Sequence, residues 1–447
     1  DAALPPDSAS IGPLALADID NNGTLDLFIG TRVRTGAWPL SAPSHLLRRT
    51  TDGRWTRDTT NAAALRALGL VSAATFSDLD GDGDPDLVAV GEFTPVRILR
   101  NDAGRFTDAT AQYGLDGMSS RWNGVAAIDA DGDGRMDLLV TSYGRNAPWQ
   151  ASPARPHAWY IGDFGASLPG LVATRADIDN GPDFPLEPLP RLAFGVRDVR
   201  DRFATFAQFA AQPIDSVLGP RVTSAARIGA TTYAHLVLLN RGGRFEVREL
   251  PAEAQRAPAF GIAVADFDGD GREDCALAQN FSPTSIDTPR FDSGQGLVLL
   301  GDGAGGFRAL TVRASGVASG GDQRGAATAD YDGDARADLV VGQHAGLVRL
   351  WRNVGARPGI RVRLEGAREN PQGIGARVSV VTAAGEGPVR ELSAGSGYWS
   401  MSSPTVVLAR AADARSIRVR WPGGRVQDVP ADSIGAVTTV RWSAARR

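Results

Sequence analysis

Short apolar runs separated by polar turns alternate along the first three quarters of the chain. Gly124-Val-Ala-Ala-Ile128 comes before one of these turns, and Leu138-Leu-Val-Thr141 follows it. The runs are short, contain β-branched residues and show no helical period, which predicts β-strands. Each polar turn therefore lies at the tip of a predicted β-hairpin.

The turns share a pattern of nine positions in which positions 1, 3, 5 and 9 are always Asp or Asn. It occurs five times, beginning at residues 18, 78, 129, 266 and 330. Alternate carboxylates on a tightly curled loop converge on one point, and Ca²⁺ takes six to eight oxygen ligands. We therefore predict about five calcium sites, with the position-7 residue contributing its backbone carbonyl. Their residues are Asp18, Asp20, Asn22, Thr24 and Asp26; Asp78, Asp80, Asp82, Asp84 and Asp86; Asp129, Asp131, Asp133, Arg135 and Asp137; Asp266, Asp268, Asp270, Arg272 and Asp274; and Asp330, Asp332, Asp334, Arg336 and Asp338.

The loops differ from those of EF-hands. An EF-hand requires a bidentate Glu at position 12 and flanking helices. Position 12 is apolar here in every copy: Ile29, Ala89, Val140, Leu277 and Val341. Position 6 is Gly in four copies, as a sharp turn requires, but Ala335 occupies it in the fifth. Because Ala with a positive φ is strained by about 1 kcal/mol, we expect the fifth site to be weaker.

A second type of turn follows several hairpins and completes a four-stranded unit. It is seen in Asn101-Asp-Ala-Gly104-Arg-Phe106, Asn240-Arg-Gly-Gly243-Arg-Phe245 and Gly303-Ala-Gly305-Gly-Phe307. Between Asp129 and Asp266 there is room for two more units, with candidates at residues 177–183 and 226–240. Four-stranded units repeated at this period are typical of a β-propeller. The sequence thus predicts an all-β chain with a seven-bladed β-propeller, six blades being the alternative.

The loops resemble the FG-GAP or VCBS repeats of integrin α-chain propellers, whose D-x-D-x-D-G-x-x-D-L loops bind calcium. The matching Leu positions are Leu27, Leu87, Leu138 and Leu339. Cys275 takes this place in the fourth loop, which favours a buried structural thiol over a reactive one. The resemblance covers residues 10–352 and implies a calcium-binding propeller.

The composition changes after this region. Residues 353–359 read as a linker, and residues 360–447 lack the Asp loops but contain alternating strands such as Ile417-Arg-Val-Arg-Trp421. Gly373-Ile-Gly375, Gly397-Tyr398 and Trp421-Pro422 resemble the ASPIC/UnbV domain, which follows such propellers in bacterial homologues of cartilage acidic protein. We expect two domains: a propeller at residues 1–352 and a small β-sandwich-like domain at 353–447.

Charge and composition exclude several classes of function. The formal net charge is −4 and no basic cluster exists, which argues against nucleic-acid binding. No apolar run is long enough to span a membrane. His45, His157, His235 and His344 are scattered, and no metalloprotease, nucleophile-elbow or P-loop motif is present. We therefore predict no catalytic residues and no organic cofactor site, and do not favour an enzyme.

Three functional hypotheses follow. The first is a secreted, periplasmic or cell-surface binding or adhesion module with a protein or carbohydrate ligand, because calcium loops of this type fill readily outside the cytosol. The alternatives are a carbohydrate-active lyase or hydrolase, and a scaffold of a bacterial biosynthetic or surface assembly.

A long insertion near residues 143–222 is either core packing or an aromatic ligand platform. Its aromatic residues are Trp149, Trp159, Tyr160, Phe184, Phe194, Phe203, Phe206 and Phe209.

Overall fold

The computed structural model of the chain describes residues 9–50, 52–149, 151–165, 170–175, 181–283 and 288–442. Strands make up 41% and helices 10%, so the predicted all-β class is confirmed. Among these residues no helix is long and apolar enough to cross a membrane.

Each of the five Asp loops joins the first two strands of an antiparallel sheet, and we number these repeat sheets 1 to 5 along the chain. Repeat sheet 1 consists of β1 (Ala9–Ala17), β2 (Asp26–Arg34), β3 (His45–Arg49) and β4 (Trp55–Arg57), and is followed by α1 (Ala62–Arg66). Repeat sheet 2 consists of β5 (Leu70–Ser77), β6 (Asp86–Pro95), β7 (Arg97–Asp102) and β8 (Arg105–Asp108), with β9 (Ser119–Arg121) paired to the end of β6.

The later repeat sheets follow the same order. Repeat sheet 3 consists of β10 (Gly124–Ile128), β11 (Asp137–Thr141), β16 (Leu236–Asn240) and β17 (Phe245–Glu249). After a 3-10 helix (Ala254–Arg256), repeat sheet 4 consists of β18 (Ala259–Ala265), β19 (Asp274–Gln279), β20 (Leu297–Gly301) and β21 (Phe307–Ala309), followed by α6 (Val312–Ser315). Repeat sheet 5 has three strands, β22 (Gln323–Ala329), β23 (Asp338–Gln343) and β24 (Arg349–Trp351).

An insertion interrupts repeat sheet 3 between its second and third strands. It contains β12 (His157–Gly162), β13 (Gly170–Arg175), β14 (Phe184–Pro185) and β15 (Ala226–Ala230). It also contains α2 (Leu189–Gly195), α3 (Val199–Arg202), α4 (Phe206–Ala210), α5 (Ile214–Leu218) and a 3-10 helix (Gly219–Thr223). The expectation of a separate unit at residues 226–240 is wrong, because β15 pairs with β12 and β16 pairs with β11. Loop pattern alone could not distinguish a new sheet from the delayed half of an earlier one.

The number of blades is not confirmed. The described residues form five repeat sheets, and the sheet in the insertion does not carry the Asp loop. Residues 177–180 of the other candidate unit, with Asp177 and Asp179, lie outside the described residues.

Two facing sheets follow the repeat sheets. The first has the order β28 (Thr405–Leu408), β25 (Ile360–Glu365), β31 (Val437–Arg441), with β25 and β31 parallel. The second has the order β27 (Arg390–Glu391), β26 (Arg377–Val381), β29 (Ser416–Arg420), β30 (Val426–Pro430), and a 3-10 helix (Ala431–Ser433) leads to β31. Burial alternates along β29, where Ile417 and Val419 point into a core shared by both sheets. This one-sided burial produces the predicted small sandwich.

Segment 394–402 of the sandwich enters the repeat region, and we call it the axial segment. Its backbone or side chains contact the backbone of the first strand in every repeat sheet. Leu16 donates to the Ala394 carbonyl at 2.9 Å, Gly397 donates to the Val125 carbonyl at 2.7 Å, and the Trp399 indole donates to the Ser72 carbonyl at 3.0 Å. The Ala326 amide donates to Ser400 Oγ at 3.2 Å. Gly397 also lies close to Ile262, because a Cβ placed on Gly397 would be only 2.8 Å from the Ile262 backbone nitrogen.

Candidate calcium loops

Two left-handed residues curl each loop. Position 6 has a positive φ in all five copies, at Gly23, Gly83, Gly134, Gly271 and Ala335. Position 4 does as well, at Asn21, Gly81, Gly132, Gly269 and Gly333. Ala335 has a φ of 63°, so the strain expected there is present. The requirement at position 4 was missed, although Gly or Asn in all five copies signals it.

The position-1 carboxylate fixes the curl by accepting amides from its own loop. Asp266 accepts from Gly269 at 2.7 Å and from Gly271 at 2.9 Å, and Asp330 accepts from Gly333 at 2.8 Å and Ala335 at 2.9 Å. The position-5 carboxylate accepts from the position-7 amide, as Asp270 does at 2.8 Å. Positions 1 and 5 are thus oriented before any ion binds.

The position-9 carboxylate joins the loop to the third strand of its sheet. Asp137 accepts from Ala130 at 2.9 Å and from Asn240 at 2.7 Å, and it is fully buried. The same bond, from the third strand or from within two residues of its end, recurs in every repeat sheet, donated by the amides of Arg49, Asn101, Asn240, Gly301 and Asn353. The position-9 carboxylate therefore has two roles: it holds the hairpin tip against the sheet, and it faces the centre of the loop.

Three of these donor residues also connect neighbouring repeat sheets. The buried amide of Asn101 donates to the Ile19 carbonyl at 2.8 Å, and that of Asn240 donates to the Leu79 carbonyl at 2.7 Å. Asn353 donates to the Phe267 carbonyl at 2.9 Å. The acceptor is position 2 of the preceding loop in each case. The sequence marked Asn101 and Asn240 only as turn residues and Asn353 as the start of a linker.

Four loops bring three carboxylates together. In each, one oxygen per residue lies within 4.8 Å of the others, a spacing that a single cation can bridge. The groups are Asp78, Asp80 and Asp82; Asp129, Asp131 and Asp137; Asp266, Asp268 and Asp274; and Asp330, Asp332 and Asp338. The carboxylates of loop 1 do not form such a group. Arg48 lies there instead, 2.9 Å from Asp20 and 3.9 Å from Asp26.

The chemistry of the loop oxygens fits a cation. Asp26 and Asp129 are buried, and each has one oxygen without a hydrogen-bond partner among the described residues, as do Asp20 and Asp131. A buried acceptor left in this state is costly unless an ion or water satisfies it. A hard divalent cation with oxygen ligands is the group that these residues fit.

Burial also raises the pKa of these carboxyl groups. It raises the pKa of Asp86 and Asp274 to about 8, and of Asp129 and Asp137 to about 7, although backbone donors oppose the shift. Burial raises the pKa of Asp26 to about 6. Neighbouring loop carboxylates add to the effect through repulsion. The four groups with a pKa of about 7 or 8 stay partly protonated at neutral pH unless a positive charge is supplied.

The position-7 side chains point to other partners. Thr24 Oγ1 donates to the Arg49 carbonyl at 2.8 Å, Arg135 Nε to the Asn240 carbonyl at 2.9 Å, and Arg336 Nε to the Ala356 carbonyl at 2.7 Å. Arg272 pairs with Asp270, and Asp84 accepts from the Ala103 amide at 2.7 Å. The backbone carbonyl stays the predicted position-7 ligand.

The C-terminal sandwich lies directly over the loops. Arg361 Nε is 2.8 Å from Asp330 Oδ2, Arg377 Nη1 is 3.5 Å from Asp78 Oδ2, and the Val389 amide donates to Asp129 Oδ2 at 2.8 Å. All three of these carboxylates occupy position 1 of their loops. Arg390 pairs with Glu273, the position-8 residue of loop 4. The loops are therefore an interface between the repeat sheets and the sandwich, which the sequence did not reveal.

The insertion aromatics divide into two groups. Trp149 and Trp159 pack with His157, Tyr143 and neighbouring rings, which fits the packing interpretation. Phe209 is buried among the insertion helices, whereas Phe194 and Phe206 are exposed. These two exposed rings do not stack on each other or on other rings among the described residues.

Family comparison adds to this geometry. A model of the FG-GAP-like repeat matches residues 78–140, which contain loops 2 and 3. A model described as ASPIC and UnbV matches residues 366–447. The chain carries an FG-GAP-like repeat and an ASPIC/UnbV domain. The second match falls within the sandwich that covers the loops. The domain boundary at residues 352 and 353 stays a prediction.

A search of curated proteins gives no match. Among solved structures, rhamnogalacturonan lyase YesW is 12% identical over 96% of this chain and 72% of the lyase, with a TM-score of 0.31. The biofilm matrix protein Bap1 of V. cholerae is 12% identical over 97% of this chain and 61% of its own, with a TM-score of 0.29. A rhamnogalacturonan lyase of Bacillus licheniformis is 11% identical over 96% and 72%, with a TM-score of 0.32. No functional conclusion rests on these similarities.

Proposed function

We propose that the chain is a calcium-stabilised binding and adhesion module that acts outside the cytosol. In this proposal Ca²⁺ bound by the Asp loops fixes the repeat sheets and holds the ASPIC/UnbV domain against them. The observation that carries the proposal is that Asp78, Asp129 and Asp330, all at position 1 of a loop, also contact the C-terminal sandwich, which contains the ASPIC/UnbV match.

The charge of the loops supports a role for the ion in stability. Positions 1, 3, 5 and 9 hold 19 Asp side chains, which repel one another when ionised without a cation. Five Ca²⁺ ions would change the formal charge from −4 to about +6. Because the unfolded chain does not preserve the clusters, binding would stabilise the folded state by mass action.

The expected affinity supports an extracytosolic location. Calcium sites in extracellular modules have dissociation constants of about 10⁻⁴ to 10⁻³ M, and such sites fill only where calcium is at millimolar concentration. The FG-GAP-like repeat and the ASPIC/UnbV domain are consistent with an adhesion-type module. The ligand in this proposal is a protein or a carbohydrate, bound without turnover.

Arrays of matrix proteins and polysaccharides, probed with labelled protein in calcium and in chelator, test the proposal. We expect binding that requires calcium and leaves the polysaccharide chain length unchanged. Release of shortened or unsaturated products would contradict it and favour a carbohydrate-active enzyme. Equal binding in calcium and in chelator would show that the loops have no part in recognition.

A further inference from the structure

Neighbouring repeat sheets pack face to face in chain order. We call the face of a sheet that packs against the following sheet its forward face, and the face that packs against the preceding sheet its rear face. A buried apolar cluster fills each of these junctions. Phe28 and Leu46 of repeat sheet 1 pack against Leu87 and Leu99 of repeat sheet 2. The junctions of repeat sheets 2 with 3, 3 with 4 and 4 with 5 have equivalent clusters. In the described part of the chain, no such cluster joins repeat sheet 5 to repeat sheet 1.

The forward face of repeat sheet 5 is therefore uncovered. Strand register makes Leu350 equivalent to four residues of the preceding sheets, Leu46, Ile98, Val237 and Val298. Those four are at most 4% exposed, whereas Leu350 is 50% exposed. Leu347 and Val348, just before it, are exposed as well. Within the described residues, the same position in the third strand here lacks both a following repeat sheet and a fourth strand beside it.

The rear face of repeat sheet 1 shows the same departure. Register makes Leu14 equivalent to Ala74, Val125, Ile262 and Ala326. These equivalents are at most 3% exposed, whereas Leu14 is 53% exposed. Ile11 on the same strand is also exposed. Ile29 of β2 and Leu47 of β3 on the same face are at most 4% exposed, so the uncovered part is the portion formed by β1.

The axial segment is exposed as well. It hydrogen-bonds to the first strands of four repeat sheets and contacts that of repeat sheet 4, yet Trp399 and Met401 within it are exposed. Repeat sheet 5 also has three strands where the others have four or more, so β24 has no partner on its outer side among the described residues. Exposed large apolar residues that adjoin one another usually mark a contact surface.

We propose that the forward face of repeat sheet 5 and the β1 portion of the rear face of repeat sheet 1 form a docking surface for a further β-sheet of this repeat type. The argument is continuity with the four junctions already formed. A sheet with apolar residues at the positions of Val88 and Ile98 on its forward face would cover Leu14 as repeat sheet 2 covers Val125. The inference is independent of calcium binding and of the proposed function.

Thiol labelling can test this, because Cys275 is the only cysteine and is completely buried. Leu14→Cys and Leu350→Cys each introduce one reporter at an exposed position. In the purified chain we expect both thiols to react rapidly with a maleimide at every protein concentration. Protection in a monomer would mean that the five sheets close on themselves. Protection that grows with concentration would identify a second copy as the occupant. Either result would overturn the proposal.

The docked sheet can be supplied by placing a copy of residues 58–123 before residue 9, in the place of residues 1–8. This copy carries repeat sheet 2 with the segments that join it to its neighbours. We expect labelling of Leu14→Cys to slow at least tenfold. The matched control has the same copy with Val88→Asp and Ile98→Asp on its forward face, and should label at the original rate. Unchanged labelling with the unaltered copy, in protein whose circular dichroism shows the added β-structure, would refute the proposal.

Discussion

Removing calcium should lower the melting temperature by an amount that the loop count predicts. With dissociation constants of about 10⁻⁴ to 10⁻³ M, about 1 mM free calcium stabilises each site by roughly 0.4 to 1.4 kcal/mol. Five sites then contribute about 2 to 7 kcal/mol. The unfolding entropy of a chain of 447 residues is on the order of 0.9 kcal/mol per kelvin. Excess chelator should therefore lower the melting temperature by about 2 to 7 °C, as measured by differential scanning calorimetry.

Matched variants connect this shift to the loops. Asp268→Asn, in the carboxylate group of loop 4, should reduce the calcium-dependent shift by roughly one fifth of its size, since one of five sites is weakened. Asp292→Asn, at an exposed Asp that pairs with Arg290 outside the loops, should leave the shift unchanged. Identical melting curves in calcium and in chelator would refute the reasoning, as would an equal effect of the two substitutions.

Three further results are expected. Without metal, the free energy of unfolding should fall as pH rises from about 5 to 8. The pKa values of Asp86 and Asp274 are raised to about 8, so the folded state binds more protons than the unfolded state in this range. Urea unfolding of metal-stripped protein measures this dependence on pH, and added calcium should abolish it. Ala335→Gly should raise the free energy of urea unfolding by about 1 kcal/mol by relieving the positive φ, and no increase would show that the strain is absent. Asn240→Ala should lower the unfolding free energy by about 1 to 3 kcal/mol, because it leaves a buried carbonyl unpaired, while the exposed Asn146→Ala should have little effect.

The hairpins and loops were predictable because their information is local. The spacing of Asp residues, the turn residues and the short apolar runs all lie within a few positions of one another. Ala335 illustrates this: its positive φ follows from the position-6 rule and is observed. The fold class followed from the repetition of these units, and the ASPIC/UnbV resemblance followed from motifs in the last part of the chain.

The features that were missed depend on contacts between distant segments. The pairing of β16 with β11 spans the whole insertion, and no local pattern marks a sheet whose second half is delayed. Arg361 and Arg377 looked like ordinary strand residues, yet they pair with position-1 carboxylates. Arg48 enters loop 1 from a neighbouring strand. Such partners are determined by how sheets pack, which a single sequence does not encode at a fixed spacing.

The most direct test of the central claim is an isothermal titration of metal-stripped protein with calcium. The account predicts about five bound ions per chain with affinities in the range from 10⁻⁴ to 10⁻³ M, the fifth loop being among the weaker sites, and little heat on titration with magnesium at the same concentrations. Absence of calcium binding by a folded protein would contradict it, because the carboxylate groups of the loops would then be structural acceptors alone.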